Sequence, residues 1–99
     1  MMYHIVYDKQ AIKDIKNVKS ARLDIKAKRL IEIVRSNPFA NPPPYEALIG
    51  NLAGLYSRRI TIKHRFVYQV FPGKITVDDN EYDGTVKIIR MWTHYDDIS

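Results

Sequence analysis

The sequence has no cysteine, which excludes a disulfide scaffold and thiolate chemistry and fits a protein of the reducing cytosol. It lacks an apolar run near the roughly 20 residues that a membrane-spanning helix needs, and its first residues do not resemble a signal peptide. Its three histidines are isolated in the chain and do not have the spacing of metal ligands. We therefore expect a cytoplasmic protein that needs no membrane, metal or other cofactor.

The size of the chain limits its organisation. Its 99 residues are enough for one hydrophobic core and too few for two. Hydrophobic residues make up 45% of the chain and charged residues of both signs 27%, a balance typical of a packed globular protein rather than a disordered one. We therefore expect a single domain over residues 1–99.

Positive charge is in excess, with 16 Lys and Arg against 11 Asp and Glu and a formal net charge of +5. Many basic residues fall in the N-terminal third, four more crowd the segment 58–65, and the densest group of acidic residues is at 78–83. This asymmetry favours a polyanionic partner whose binding weakens as the salt concentration rises. A basic surface that is merely solvated is the plainer alternative.

Hydrophobic periodicity predicts one strand and two helices in the first third of the chain. Tyr3–Tyr7 is short, apolar and followed by Asp8, which is placed to cap a helix from Lys9 to about Val18. A second helix is predicted from apolar residues at spacings of four and three, which are Leu23, Ala27, Leu30 and Val34.

A connector and several strands are predicted for the rest of the chain. Asn37-Pro38 ends the second helix, and the prolines at 42–44 predict a stiff, extended connector. Runs rich in Tyr, Ile, Val, Thr and Phe predict strands at Tyr56–Ile62, Arg65–Phe71, Ile75–Val77 and Thr85–Thr93. A turn is predicted at Pro72-Gly73. This order predicts an α+β fold in which two N-terminal helices pack on a curved, mainly antiparallel sheet of four to five strands.

Several residue types suit the cleavage of RNA by its own 2′-hydroxyl. That reaction needs a base for the hydroxyl proton, cations for the charge of the phosphorane and an acid for the departing 5′-oxygen. Those chemical types are present, without a metal, in Glu46, Arg59, Arg65 and His94. Each residue also has a plainer interpretation, as a surface carboxylate, a solvated or phosphate-contacting arginine or a packed histidine. From the residues alone, we expect a basic α+β domain that contacts nucleic acid.

The segment from Glu46 to Tyr68 carries a more specific signal. Its motifs are Asn51-Leu52, Gly54, Ser57-Arg58-Arg59-Ile60-Thr61 and His64-Arg65-Phe66-Val67-Tyr68, and Trp92-Thr93-His94-Tyr95 follows near the C-terminus. These motifs closely resemble those of the Txe/YoeB toxins of the RelE superfamily. The resemblance covers essentially the whole chain and implies a RelE-like microbial RNase fold.

The resemblance implies a toxin of a type II toxin–antitoxin system that acts as a ribosome-dependent endoribonuclease. Such a toxin enters the A site of the bacterial 70S ribosome and cuts the mRNA codon there. A YefM/Axe-like antitoxin, partly disordered when free, holds it silent. Members of the family also form homodimers.

The same resemblance implies roles for individual residues. The catalytic residues would be Glu46 as general base on the 2′-hydroxyl, Arg65 as stabiliser of the phosphorane, His94 as general acid and Tyr95 as the residue that orients the scissile phosphate. The RNA-binding residues would be Arg59, Arg58 and Lys63. No metal is implied, since these groups can supply the acid, the base and the positive charge themselves.

Two features depart from the family pattern. Many relatives carry a basic residue where this chain has Ile49, so one substrate or ribosome contact is expected to be absent or replaced. The stretch Phe71–Gly84 is longer than in compact members and has an acidic tip that would repel RNA. We therefore predict that this hairpin points away from the mRNA.

Two alternatives to the nuclease remain open. One is a non-enzymatic inhibitor of DNA gyrase that resembles ParE toxins and shares the same scaffold. The other is a catalytically decayed module that binds nucleic acid or antitoxin. The presence of Glu46, Arg65, His94 and Tyr95 together argues against the gyrase inhibitor. Ile49 and the lengthened loop are the best evidence for the decayed module.

Overall fold

Five strands, two α-helices and a short 3₁₀ turn account for most of residues 2–92, the part of the chain that this computed structural model describes. In chain order they are β1 (Tyr3–Tyr7), α1 (Lys9–Ser20), α2 (Asp24–Ser36), β2 (Tyr45–Ala47), the 3₁₀ turn (Gly50–Leu52), β3 (Leu55–Arg59), β4 (Arg65–Val77) and β5 (Asn80–Arg90). The strand order across the sheet is β1-β5-β4-β3-β2. Strand β1 is parallel to β5, and the other neighbouring strands are antiparallel. The predicted α+β fold with a mainly antiparallel sheet is confirmed.

The helices form where the sequence predicted them. The Asp8 carboxylate accepts a hydrogen bond from the Gln10 backbone N–H at 3.2 Å and so caps α1, as expected. Helix α2 ends at Ser36, directly before Asn37-Pro38. Neither helix, nor any other within residues 2–92, has the length and apolar character to cross a membrane.

The core lies between the two helices and one face of the sheet. Its largest apolar contributions from the helices are Val18, Leu30 and Val34, and those from the sheet are Phe66, Tyr68, Val86 and Ile88. The apolar stripe predicted for the second helix therefore faces this core, with Leu23 packed at its margin. The opposite face of the sheet is left for other contacts.

The turn predicted at Pro72-Gly73 is wrong. Strand β4 continues through this pair to Val77, and a register irregularity between Pro72 and Ile75 accommodates the proline, which cannot donate to the ladder. The chain reverses at Asp78 and Asp79, whose φ angles are 50° and 66°. Two residues with positive φ form the turn that matches the twist of a hairpin, and aspartate tolerates that conformation. The stretch Phe71–Gly84 is therefore a long paired hairpin.

A buried carboxylate ties α1 to the end of β5. Asp14 is 1% exposed, and its Oδ2 accepts hydrogen bonds from Arg90 Nε at 2.8 Å and from the Met91 backbone N–H at 3.0 Å. Arg90 Nη2 donates to Asp14 Oδ1 at 3.3 Å and to the Trp92 carbonyl oxygen at the same distance. This clamp holds the last described residues of the chain against the first helix.

Replacement of Asp14 by alanine should lower the free energy of unfolding by about 3 kcal/mol, because it leaves the Met91 backbone N–H without its acceptor and the Arg90 guanidinium without its carboxylate partner. Urea unfolding followed by circular dichroism measures the change. The exposed Asp24 on α2 provides the control, since Asp24→Ala should change the unfolding free energy by about 0.5 kcal/mol. Equal effects of the two substitutions would contradict the clamp.

Candidate active site

Strand registers bring the predicted base and two predicted cationic residues to one face of the sheet. Glu46 on β2 lies opposite Ser57 on β3, and Arg59 at the end of β3 lies opposite Arg65 at the start of β4. Ser57 and Arg59 are two positions apart on one strand, so their side chains point to the same side. This side is opposite the helices, because Phe66, next to Arg65, lies in the core beneath them.

Glu46 and Arg65 are in direct contact. Arg65 Nη1 donates a hydrogen bond to Glu46 Oε1 at 3.2 Å. The Arg65 side chain is only 14% exposed, whereas the Glu46 side chain is 51% exposed. The guanidinium is therefore held in place by its surroundings, while the carboxylate remains open to solvent and to an incoming ligand.

A groove of about 310 Å³ surrounds this pair. We call it the Glu46 groove; it is lined by Pro44, Tyr45, Glu46, Ser57, Arg59 and Arg65. Two guanidinium groups and one carboxylate in one groove can bind an anionic group and accept a proton from a neighbouring hydroxyl. Among residues 2–92, no group of three or more histidine or acidic side chains could hold a metal ion.

The predicted catalytic residues His94 and Tyr95 lie outside the described residues. The described chain leads to them through Trp92, whose ring stacks on that of His64 with the centroids 3.7 Å apart and the planes 15° apart. His64 belongs to the turn between β3 and β4, which also separates Arg59 from Arg65. The stack and the Asp14 clamp therefore fix the end of β5 against the turn between β3 and β4, at whose two ends Arg59 and Arg65 lie. Sequence spacing could not show this contact because the two rings are distant in the chain.

The position of Arg58 disagrees with its predicted role in binding RNA. Its side chain lies on the helix side of the sheet and is 1% exposed, so its guanidinium has no open surface from which to contact RNA. Adjacent residues of a strand point to opposite faces, and with Arg59 on the site face, Arg58 must point inward. The alternation of side chains between the two faces of a strand was the sequence signal that could have corrected this prediction.

Arg58 holds the connector that precedes β2. Its Nη2 donates to the carbonyl oxygens of Pro38 at 3.0 Å and Ala40 at 2.9 Å, and its Nη1 donates to that of Pro43 at 2.6 Å. Its Nε donates to the Tyr68 hydroxyl at 3.1 Å. Burial raises the pKa of Tyr68, although the nearby Arg58 acts in the opposite direction. The protonated hydroxyl in turn donates to the Pro38 carbonyl oxygen at 2.6 Å.

The other predicted residues lie at the margins of the site. Arg59 and Lys63 are exposed, with Lys63 in the turn between β3 and β4. Ile49 lies between β2 and the 3₁₀ turn and is 85% exposed. A single exposed apolar side chain is ordinary on a protein surface, and Ile49 is not among the residues that line the Glu46 groove.

The fold, with two helices on a five-stranded mixed sheet, is that of a toxin of the RelE superfamily. The family model for the YoeB-like toxins of bacterial type II toxin–antitoxin systems matches residues 7–95, and the chain belongs to that family. The resemblance identified from the motifs is thereby confirmed.

The relatives support this assignment. Toxin YoeB of Escherichia coli K12 is 45% identical over 49 residues, which are 50% of this chain and 58% of that protein. The match therefore spans little more than half the length of that relative. A YoeB/ParE toxin from Agrobacterium tumefaciens is similar in structure, with a TM-score of 0.77, 31% identity, and coverage of 93% of this chain and 99% of the other. The YoeB–YefM complex from Staphylococcus aureus has a TM-score of 0.67 and 29% identity, with 94% and 98% covered.

Replacement by methionine should change the stability of the protein much more at Arg58 than at its neighbour Arg59. Arg58→Met leaves three carbonyl oxygens, one buried and two partly buried, without this donor, each costing about 1 kcal/mol, so the unfolding free energy should fall by about 3 kcal/mol. Arg59→Met removes an exposed side chain and should change it by less than about 0.5 kcal/mol. Urea unfolding of both variants tests the difference. Similar values for the two would mean that Arg58 does not hold the connector.

Proposed function

We propose that the chain is a ribosome-dependent endoribonuclease that cleaves mRNA in the A site by metal-independent acid–base chemistry. The observation that carries the proposal is the contact between Glu46 and Arg65 in an open groove that also contains Arg59. Membership of the YoeB-like toxins gives this groove its context. A gyrase inhibitor or a binding module would need no carboxylate at this position.

In the proposed reaction, Glu46 takes the proton from the 2′-hydroxyl of the nucleotide before the scissile bond. The 2′-oxygen attacks phosphorus, and Arg65 stabilises the additional negative charge of the phosphorane. The bond from phosphorus to the 5′-oxygen then breaks, and His94 gives that oxygen a proton. The products are a 2′,3′-cyclic phosphate and a free 5′-hydroxyl. Tyr95 orients the scissile phosphate.

The positions of the two groups suit these roles. A base must reach the substrate, and the Glu46 carboxylate is half-exposed at the mouth of the groove. A group that stabilises charge works best when it needs no rearrangement during the reaction, and the Arg65 side chain is largely enclosed. Arg59 is exposed on the same face and binds a neighbouring phosphate, while Lys63 adds charge at the edge of the site.

The ribosome is proposed as the source of substrate alignment. The Glu46 groove has a volume of about 310 Å³, which is small beside an RNA chain, so the groove alone does not hold the 2′-oxygen in line with the departing oxygen. Holding the reacting atoms in line can supply a large part of the reduction in activation free energy. The A-site codon, already positioned by the ribosome, removes that requirement from the toxin.

Programmed 70S ribosomes and primer extension provide the main test. Wild-type protein should produce a single A-site cut, and Glu46→Gln should slow it by roughly 10²–10⁴-fold, because the amide cannot accept the proton. His94→Gln should slow it comparably by removing the acid. Glu32→Gln, on exposed helix α2, is the matched control and should cut like the wild type. Intact mRNA with folded wild-type protein would refute the proposal and direct attention to gyrase inhibition.

A YefM-type antitoxin is the proposed regulatory partner. The chain carries a net charge of +5, which favours an acidic segment that folds on binding. A YoeB–YefM complex is known for the relative from Staphylococcus aureus. We propose that the antitoxin's C-terminal segment covers the Glu46 groove and the region of His94 and Tyr95.

An equimolar YefM-type antitoxin should therefore abolish cleavage on programmed ribosomes while the circular dichroism of the toxin remains that of the folded protein. The antitoxin without its C-terminal segment is the control and should not inhibit. Undiminished cleavage by a toxin that is demonstrably bound to full-length antitoxin would contradict this mode of inhibition.

A further inference from the structure

A second groove of about 340 Å³ lies beside the Glu46 groove. We call it the Arg29 groove; it runs between α2, the connector and the end of β3. Arg59 lines both grooves, and the consecutive residues Pro43 and Pro44 line one each. The two grooves are therefore neighbours, and Arg59 stands on the boundary between them.

The Arg29 groove has an excess of positive charge. Lys26 and Arg29 enter it from α2 and Arg59 from β3, and no carboxylate lines it. Lys26 and Arg29 are three positions apart on the helix, so their side chains lie on one face. Within the described part of the chain none of the three cations forms an ion pair. The nearby Glu32 pairs with Arg35 instead, at 3.6 Å.

The floor of the Arg29 groove is apolar. Its side chains there include Leu30, Ile33 and Ile60. Cations above an apolar floor suit a nucleotide, whose phosphate is anionic and whose ribose and base offer less polar surfaces. No aromatic ring lines this groove on which a base could stack. Recognition here would therefore read the RNA backbone rather than its sequence.

We propose that the Arg29 groove is a subsite for the mRNA strand that flanks the cleaved phosphodiester. Lys26 and Arg29 bind one or two phosphates adjacent to the scissile one, and Arg59 connects the two sites. This inference rests on the proposed nuclease function, because it takes the scissile phosphate to lie in the Glu46 groove. An RNA strand held between Arg59 and Arg65 that leaves past Arg59 enters the Arg29 groove directly.

The first test removes two charges from this groove. The double variant Lys26→Gln/Arg29→Gln should raise the half-saturating toxin concentration for single-turnover cleavage on programmed ribosomes by roughly tenfold, while the maximal rate stays within about twofold. The slope of log affinity against log salt should fall by about 0.7 to 1.4, since one or two phosphate contacts are lost and each contact to a single strand contributes about 0.7. The double variant and the wild type should have the same circular dichroism.

The matched control is Lys13→Gln/Lys16→Gln on α1, which removes the same charge from a different surface. This control should cut with nearly wild-type affinity. Equal weakening by the two double variants would show a general attraction between a basic protein and the ribosome, and it would overturn the subsite.

Uncharged linkages in the mRNA show whether mRNA or ribosomal RNA binds in the Arg29 groove. A single methylphosphonate is placed in turn at each linkage next to the cleaved one. At one of these positions the wild type should lose affinity by roughly fivefold to tenfold, while Lys26→Gln/Arg29→Gln should be insensitive to the same change. Additive losses at every position would mean that the groove contacts ribosomal RNA, which contradicts the proposal.

Failure of the proposed function is distinguishable from failure of this inference. Absence of cleavage by the wild type would reject the nuclease, whereas cleavage that is equally strong in the wild type and in Lys26→Gln/Arg29→Gln would reject only the subsite.

Fluorescence anisotropy with a single-stranded oligoribonucleotide gives a readout without ribosomes, and the same variant should bind it more weakly than the α1 control. Weaker binding of antitoxin with unchanged binding of RNA would assign the groove to an acidic peptide and overturn the proposal.

Discussion

The guanidinium of Arg58 holds the part of the fold on which the candidate site depends. Strand β2 has only three residues and lies at the edge of the sheet, after three prolines that can donate no backbone hydrogen bonds. A strand this short contributes little pairing of its own. Arg58 binds three carbonyl oxygens of the preceding connector, and its guanidinium lies 5.0 Å from the centre of the Tyr45 ring. The connector is therefore fixed on the helix side, and Glu46 emerges next to Arg65 on the other side.

The two adjacent arginines of β3 have different roles because they lie on opposite faces of the sheet. Arg58 is enclosed and serves the fold, whereas Arg59 is exposed and stands between two grooves. Asp14 has a similar part at the end of β5, which its buried carboxylate holds through Arg90 and the Met91 backbone. In both places a buried charge is kept because several hydrogen bonds satisfy it. Arg58 thereby fixes the connector before β2, and Asp14 fixes the end of β5.

Local patterns predicted much of the fold, and contacts between distant residues were predictable only through resemblance. The cap at Asp8, both helices and the order of elements follow from spacing and capping rules. The turn at Pro72-Gly73 was predicted from a dipeptide preference, but β4 tolerates the proline through an irregular register and reverses at Asp78-Asp79 instead. The contact of Glu46 with Arg65 depends on the registers of three strands, which no local pattern specifies. The buried position of Arg58 was within reach, because alternation along β3 requires it.

Without substrate, the ion pair between Glu46 and Arg65 partly neutralises the positive charge of the groove. A bound phosphate would compete for this pair. While the carboxylate accepts from Arg65, the groove carries less positive charge than its arginines alone would give it. A phosphate that binds to Arg65 competes with Glu46 for the same donor. In the proposed reaction, binding of the scissile phosphate therefore releases the carboxylate next to the 2′-hydroxyl from which it takes a proton. Because Arg65 is enclosed and Glu46 is open, the group that moves is the base, and the group that stabilises charge stays in place.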